Sequence, residues 1–257
     1  MKKCLLILPL FFLVACSSES EKIEKSTLIP QLTEVTAIEE SHKKREFLSH
    51  SDIRFEIEVS FGGKERLAGR VTLATNSSRG LIELRNGNKL IVKEKEVYFS
   101  PGMNENKVRF DAYTWSYFFL FPYKLSDEGT IWSASRREGM NGEVFDAQRL
   151  TFKGGIGDAP DDWYEVFSDT ATHLLQAAAY IVTANKTVEE AEKDPHAIKY
   201  SSYIEVNSVP VASKWEFFNW TQELGMQEKL GEAKITQIEF LEAPDSLYLV
   251  PANFLKI

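Results

Sequence analysis

The sequence predicts an α+β protein that is mainly antiparallel β: a strongly curved meander sheet, or an unclosed half-barrel, with helices in its concave side. Three observations predict this class. From Ile53 onwards apolar and polar residues alternate with a period of two, which is typical of strands with one buried face. Short apolar segments then follow one another at hairpin spacing, separated by turns rich in Gly and Asn. Few connections are long enough for parallel crossovers, so we expect antiparallel strands.

One helix is expected before the first strand. Thr36-Ala-Ile-Glu39 has the form of a capping box, and Ala37 to about Ser49 contains good helix formers without proline or glycine. His42 and His50 flank this helix, where we expect exposed residues. The first strand follows, and its predicted inward residues are Phe55, Ile57, Val59 and Phe61.

Turn signals mark the hairpins that come next. Gly62-Gly63, Asn86-Gly87 and Asn141-Gly142 each separate two apolar segments, and the two Asn-Gly pairs are typical of type I′ turns. Two further hairpins and a last strand are expected in the ranges Trp163 to Val182, Ile198 to Trp220, and Ile235–Leu241.

An aromatic segment, Phe110–Pro122, interrupts this pattern with seven aromatic residues. On a helix, Trp115, Phe118 and Phe119 share one face, so we predict an apolar helix in the mouth of the curved sheet. Such a helix either fills the core or faces a ligand cavity. Eight large side chains are the candidates for lining an apolar groove that binds an acyl chain: Trp115, Phe118, Phe119, Phe121, Trp132, Tyr180, Phe217 and Trp220.

The first sixteen residues have the organisation of a bacterial secretion signal. Met1-Lys2-Lys3 is basic, and Leu5–Ala15 is apolar but too short to span a bilayer. Leu13-Val14-Ala15-Cys16 resembles the lipobox, and this resemblance implies cleavage before Cys16, which carries diacylglycerol and an N-acyl chain such as palmitate. Cys4 leaves with the signal, so Cys16 has no disulfide partner. An ordinary cleaved signal and an uncleaved anchor are the alternatives.

Composition and charge narrow the remaining possibilities. We expect a signal peptide at 1–15, a lipidated cysteine and polar tether at 16–31, and a single domain at 32–257, with no later segment apolar enough to span a membrane. Loss of Lys2 and Lys3, with no acidic residue lost, takes the formal charge from −8 to −10. This charge argues against nucleic acid and against electrostatic binding to anionic headgroups, so membrane attachment would depend on the lipid anchor.

Catalytic or metal-binding chemistry has weak support in the sequence. Asp158, Asp162 and His173 are the candidates for a metal site or an acid–base pair, but their spacing matches no metal motif. A solvated turn, with His173 as a hydrogen-bonded structural residue, is the better account. The chain has no Gly-x-Ser-x-Gly elbow, phosphate loop or dinucleotide fingerprint. We therefore expect no catalytic residues and no cofactor.

Several segments together resemble the periplasmic lipoprotein-carrier superfamily, the Lol-carrier-like fold. The resemblance covers Glu34 to Ile257 and includes a leading helix, a strand pair about a Gly-Gly turn, and a helix that ends in Phe121-Pro122. Its final third is carried by Tyr200 to Val206, Ser208-Val-Pro210, Lys214 to Phe218, Ile235–Leu241, Leu249-Val-Pro251 and Phe254. More closely, the chain looks like uncharacterised Bacteroidetes-type lipoproteins. The acidic segment Gly157–Trp163 departs from the carriers.

The resemblance implies a membrane-anchored, non-enzymatic domain that binds a lipid, an acyl chain or a lipoprotein. Ser17 is not the aspartate that retains some lipoproteins at the inner membrane, which favours the periplasmic face of the outer membrane. Two alternatives stay open: an envelope lipoprotein with a filled core that binds a protein partner, and a metal-dependent hydrolase. The sequence leaves the oligomeric state open.

Overall fold

A computed structural model describes residues 34–257, except residues 94, 158 and 185. Within this part of the chain fourteen strands form a single sheet in which every pair of neighbours is antiparallel. The strands are β1 (Asp52–Phe61), β2 (Lys64–Ala74), β3 (Arg79–Leu84), β4 (Lys89–Lys93), β5 (Glu96–Phe99), β6 (Thr130–Trp132), β7 (Arg136–Met140), β8 (Glu143–Phe152), β9 (Tyr164–Asp169), β10 (Leu175–Tyr180), β11 (His196–Val206), β12 (Val209–Thr221), β13 (Gly225–Leu241) and β14 (Leu255–Lys256).

The order of the strands makes the sheet an unclosed, curled meander, as the sequence predicts. It runs β14-β5-β4-β3-β2-β1-β13-β12-β11-β10-β9-β8-β6, and β7 also pairs with β8. Strands β1 to β5 form one meander and β8 to β13 another. The pairing of β1 with β13, from Asp52 opposite Leu241 to Phe61 opposite Gly231, joins them.

The helices occupy little of the described chain. They are α1 (helical over 34–41), α2 (Lys44–Ser49), α3 (Glu105–Leu120) and α4 (Val188–Ala191), with 3₁₀ turns at Phe121–Tyr123 and Asp245–Tyr248. None of the helices in the described residues is long and apolar enough to cross a membrane.

The single leading helix predicted from Ala37 to Ser49 is wrong in detail. Thr36 lies inside α1 and does not cap it, and the helix breaks at residues 42–43, where Lys43 adopts a left-handed conformation with φ of 55°. His42, expected to be exposed, is only 1% exposed. A contact far away in sequence accompanies the burial of His42: the backbone N–H of Leu175 donates to His42 Nε2 at 3.0 Å.

The hairpin turns follow the Gly and Asn signals. Asn141 and Gly142 both have positive φ, 52° and 86°, which confirms a type I′ turn between β7 and β8. The hairpin at Asn86-Gly87 is also confirmed, but only Gly87 has a positive φ, of 88°, so the turn is not type I′. There the backbone N–H of Gly87 donates to the carbonyl of Leu84 at 2.9 Å.

Three apolar clusters hold the sheet. The main one lies on the concave side and includes Phe55, Ile57 and Val59 of the predicted inward residues of β1, and the fourth, Phe61, packs against it partly buried. A second lies on the opposite face of β8 to β12. Val166 belongs to the first cluster and its neighbour Phe167 to the second, and successive residues of a strand face opposite sides of the sheet. A third surrounds Tyr248 near the C-terminus.

Candidate functional site

The aromatic helix α3 is the central feature of the concave side. It begins at Asn104, whose side chain accepts hydrogen bonds from the backbone N–H groups of Asn106 and Lys107 at 3.1 and 3.4 Å. The helix starts earlier than the predicted segment. It ends where the 3₁₀ turn containing Pro122 takes over, as the proline suggests.

The predicted face of α3 packs against the inner surface of the sheet. Phe119 stacks on Phe55 of β1 with ring centroids 4.1 Å apart. Phe118 lies 5.2 Å from Tyr180 of β10. Trp115, Phe118 and Phe119 are 2%, 5% and 4% exposed, so α3 fills the concave side of the sheet.

Seven of the eight groove candidates lie in one cluster, and the eighth lies elsewhere. Trp115, Phe118, Phe119, Phe121 and Phe217 are buried members of the main cluster, and Trp132 and Tyr180 pack against it partly exposed. Trp220 belongs to the second cluster on the other face of the sheet, 6.1 Å from Trp163. A groove beside α3 would therefore involve the first seven without Trp220.

An ion pair attaches α3 to the sheet near the N-terminal half of the helix. The Arg66 guanidinium on β2 donates to the Asp111 carboxylate through two nitrogens, at 2.9 and 3.1 Å. The indole N–H of Trp115 also donates to Asp111, at 2.9 Å. Asp111 is only 5% exposed, so its charge depends on Arg66 for neutralisation.

Tyrosine hydroxyl groups make further hydrogen bonds at α3 and beside it. The Tyr200 hydroxyl donates to the carbonyl of Phe118 at 3.0 Å, and the Tyr113 hydroxyl donates to the carbonyl of Lys95 at 3.1 Å. Burial raises the pKa of Tyr117 and of Tyr164 well above the usual value of a phenol. Around α3 the inner surface therefore offers ring contacts and phenol hydrogen bonds beside the Arg66–Asp111 ion pair.

The outer face of β1, β2 and β13 is polar and ion-paired. Arg70 lies 2.7 Å from Glu56, and Arg54 lies 3.5 Å from Glu239. Two shallow depressions of about 350 and 430 Å³ lie over these strands and are lined mainly by such charged side chains. They do not have the apolar lining that an acyl chain requires.

Of the three predicted metal or acid–base residues, the two that the structure describes, Asp162 and His173, lie apart. Asp158 lies outside the described residues. Asp162 accepts hydrogen bonds from the Thr183 backbone N–H and hydroxyl, at 2.8 and 2.7 Å, and so joins the ends of β9 and β10. His173 lies in the turn at the other end of the same hairpin, separated from Asp162 by the length of β9, which is about 17 Å at the usual rise per residue. Its Nδ1 instead lies 3.2 Å from Glu34 Oε1.

Sequence reasoning missed several buried carboxylates that have arginine partners, and three of these are at most 5% exposed. Asp52, Asp111 and Glu165 are 0%, 5% and 1% exposed. Their arginine partners are Arg79 for Asp52, Arg66 for Asp111, and Arg136 and Arg149 for Glu165. For Asp111 a signal existed, because an acidic residue four positions before Trp115 on an apolar helix needs a partner.

Solved structures resemble this arrangement over most of its length. A DUF1329 family protein from Desulfovibrio piger superposes with a TM-score of 0.56 at 12% sequence identity, covering 86% of this chain and 97% of that one. A LolA-superfamily protein from Nitrosomonas europaea gives a TM-score of 0.51 at 8% identity, covering 80% of this chain and 96% of that one. This chain has a LolA-like fold. An outer membrane lipoprotein-sorting protein domain from Vibrio parahaemolyticus gives the same TM-score at 11% identity, covering 80% and 91%.

At these identities the LolA-like likeness concerns the fold alone. No family model matches the sequence. No curated protein matches it either. The predicted resemblance to the Lol-carrier fold is therefore confirmed as a fold, while the lipobox and the Bacteroidetes-type likeness stay predictions. Cys16 lies outside the described residues.

Proposed function

We propose that this protein is a non-enzymatic lipoprotein whose LolA-like domain binds an acyl chain between α3 and the inner surface of its sheet. The observation that carries the proposal is the composition of that interface: α3 meets the unclosed sheet through aromatic rings, and the phenols beside it are neutral. An acyl chain would replace the contacts between these rings with contacts of similar apolar area. Apolar surface that is removed from water contributes about 25 cal/mol per Å² to such an interface. No specific polar group is needed for such binding.

In the structure described above, α3 occupies the space that the ligand would take. Binding therefore requires α3 to move away from the sheet, and two polar contacts oppose this movement: the Arg66–Asp111 ion pair and the hydrogen bond from the Tyr200 hydroxyl to the Phe118 carbonyl. Weakening the pair is expected to make the interface more accessible without changing the aromatic surface.

The test is uptake of a fluorescent fatty acid, together with native mass spectrometry of gently purified protein. Arg66→Ala is expected to increase the rate of uptake. Arg70→Ala is the matched control, since Arg70 lies on the same strand but pairs with Glu56 on the outer face. Persistently bare protein, and no uptake by either variant or the parent chain, would refute acyl-chain binding.

A second function is favoured by the packing itself. Trp115 and Phe119 are almost fully buried among side chains of the protein, as expected of a permanently filled core. In that case the domain is a structural envelope lipoprotein that binds a protein partner through its surface. A bare protein that copurifies with a stoichiometric partner, and whose Arg66→Ala variant takes up no probe, would support this function over the first.

We propose that attachment to the membrane is through diacylglycerol and an N-acyl chain on Cys16, at the periplasmic face of the outer membrane. The support is the Leu13–Cys16 motif and the uncharged serine at position 17. Two or three acyl chains hold a protein on a bilayer, because each buried CH₂ contributes about 0.8 kcal/mol.

Metabolic labelling with an alkyne analogue of palmitate tests the anchor. Label is expected in the parent chain and in Cys4→Ala, and not in Cys16→Ala. Membrane fractionation then separates inner from outer membrane. Equal labelling of Cys16→Ala would disprove lipidation at this residue.

A further inference from the structure

Three potential metal ligands from distant parts of the chain meet at the end of the β9–β10 hairpin. They are Glu34 of α1, Asp146 of β8 and His173 of the β9–β10 turn, and one ligand atom from each lies within 4.8 Å of the other two. Glu34 Oε1 and His173 Nδ1 lie 3.2 Å apart. This cluster is separate from the α3 interface.

Contacts outside the three ligands hold them in place. Asp146 lies opposite Ser168 in the pairing of β8 with β9, and the Ser168 hydroxyl donates to Glu34 Oε1 at 2.9 Å. The backbone N–H of His173 donates to the carbonyl of Asp169 at 2.9 Å, which closes the turn. A site whose ligands are positioned by neighbouring hydrogen bonds is preorganised for binding.

The cluster contains more negative than positive charge. The side chains of Glu34 and Asp146 are only 13% and 9% exposed. The cation that contacts Asp146 is Arg137, with Nε 2.9 Å from Oδ1, and this arginine is 61% exposed. Arg137 is exposed enough to turn into solvent when another cation binds.

We propose that Glu34, Asp146 and His173 bind one divalent transition-metal ion of the Zn²⁺ class. One imidazole nitrogen and two carboxylate oxygens suit zinc, with water as the fourth ligand. A nitrogen ligand disfavours Ca²⁺ and Mg²⁺, which prefer oxygen. The ion would fasten α1 to the end of the β8–β9–β10 sheet.

Isothermal titration of chelator-treated, full-length protein with Zn²⁺ tests the site. One equivalent is expected to bind, and His173→Ala is expected to weaken binding by about tenfold or more, since even the loss of an outer partner costs that much. His196→Ala is the matched control: His196 is a partly exposed histidine with Asp194 at 3.8 Å, outside the cluster. Mg²⁺ in excess is expected not to compete.

The shift in Tm on addition of Zn²⁺ is a second measurement, and it is compared within each variant, so it still tests the site if a variant folds poorly. Zn²⁺ is expected to raise the Tm of the parent chain and of His196→Ala, and to leave that of His173→Ala unchanged. Glu34→Gln and Asp146→Asn are expected to reduce the shift. Absence of zinc binding by the parent chain, or equal binding by His173→Ala, would overturn the proposal.

Discussion

His42 makes the stability of the fold depend on pH. This side chain is 1% exposed, and its Nε2 accepts the backbone N–H of Leu175 at 3.0 Å, so the imidazole must be neutral at that nitrogen. Tyr123 and Tyr203 contact its ring edge to face, with centroids 6.1 and 5.6 Å away. Burial lowers the pKa of His42 to about 3. Protonation of Nε2 would also remove its hydrogen bond to the sheet.

The sign and size of the effect follow from this pKa. In the unfolded chain the imidazole takes up a proton as pH falls below about 6.5, whereas in the folded chain it does not until about pH 3. The unfolded state therefore binds more protons between these values, and stability falls as pH falls. Each pH unit below 6.5 costs about 1.4 kcal/mol, so the loss between pH 7 and 5 is about 2 kcal/mol.

Urea unfolding between pH 7 and 5 measures this dependence, with His42→Gln as the informative variant. The glutamine carbonyl oxygen retains an acceptor for the N–H of Leu175 but does not titrate. We expect a smaller loss of stability in His42→Gln than in the parent chain, by about 2 kcal/mol over this range. Parallel curves for the parent chain and His42→Gln would refute the argument.

Three further predictions concern the helix and the sheet. Arg66→Ala is expected to lower the free energy of unfolding by about 2 kcal/mol, which is less than the roughly 3–5 kcal/mol lost when a fully buried ion pair is broken. In a double-mutant cycle, adding Asp111→Asn should recover part of this loss, and additive effects of the two substitutions would contradict a coupled pair. Phe119→Ala should cost about 3–5 kcal/mol in urea unfolding, because it removes a buried ring; a loss below about 1 kcal/mol would mean that α3 is loosely packed. Gly231→Ala would place a Cβ 2.3 Å from a backbone oxygen, whereas at Gly139 the nearest atom is 3.9 Å away. Calorimetry should therefore show a loss of about 1–3 kcal/mol or more for Gly231→Ala and little change for Gly139→Ala; equal Tm values would contradict the close approach.

The sequence predicts the features that depend on local pattern. The alternation of β1, the hairpins at Gly and Asn turns and the buried face of α3 all follow from side-chain periodicity and backbone conformation. The burial of His42 does not, because it involves a contact of His42 with Leu175, 133 residues away. Local rules cannot contain a contact of this kind.

Closeness in sequence was a poor guide to the candidate sites. Asp162 and His173 are eleven positions apart in the chain, but a hairpin strand places them at opposite ends. His173 instead meets Glu34 and Asp146, which are far from it in sequence. The groove candidates were predicted better, since seven of the eight lie in one cluster. They meet there because apolar side chains of a curved sheet converge on its concave side.

The pairing of β1 with β13 also determines when the domain can fold. Asp52, at the start of β1, accepts hydrogen bonds from the Ala243 backbone N–H and the Tyr248 hydroxyl, 191 and 196 residues later. Contacts this distant in sequence carry a large loop-closure entropy and slow folding, typically to milliseconds or longer. A ribosome must have synthesised nearly the whole chain before the middle of the sheet can form. Until then the apolar face of the first meander lacks its neighbour, so the nascent chain is vulnerable to aggregation and accessible to chaperones.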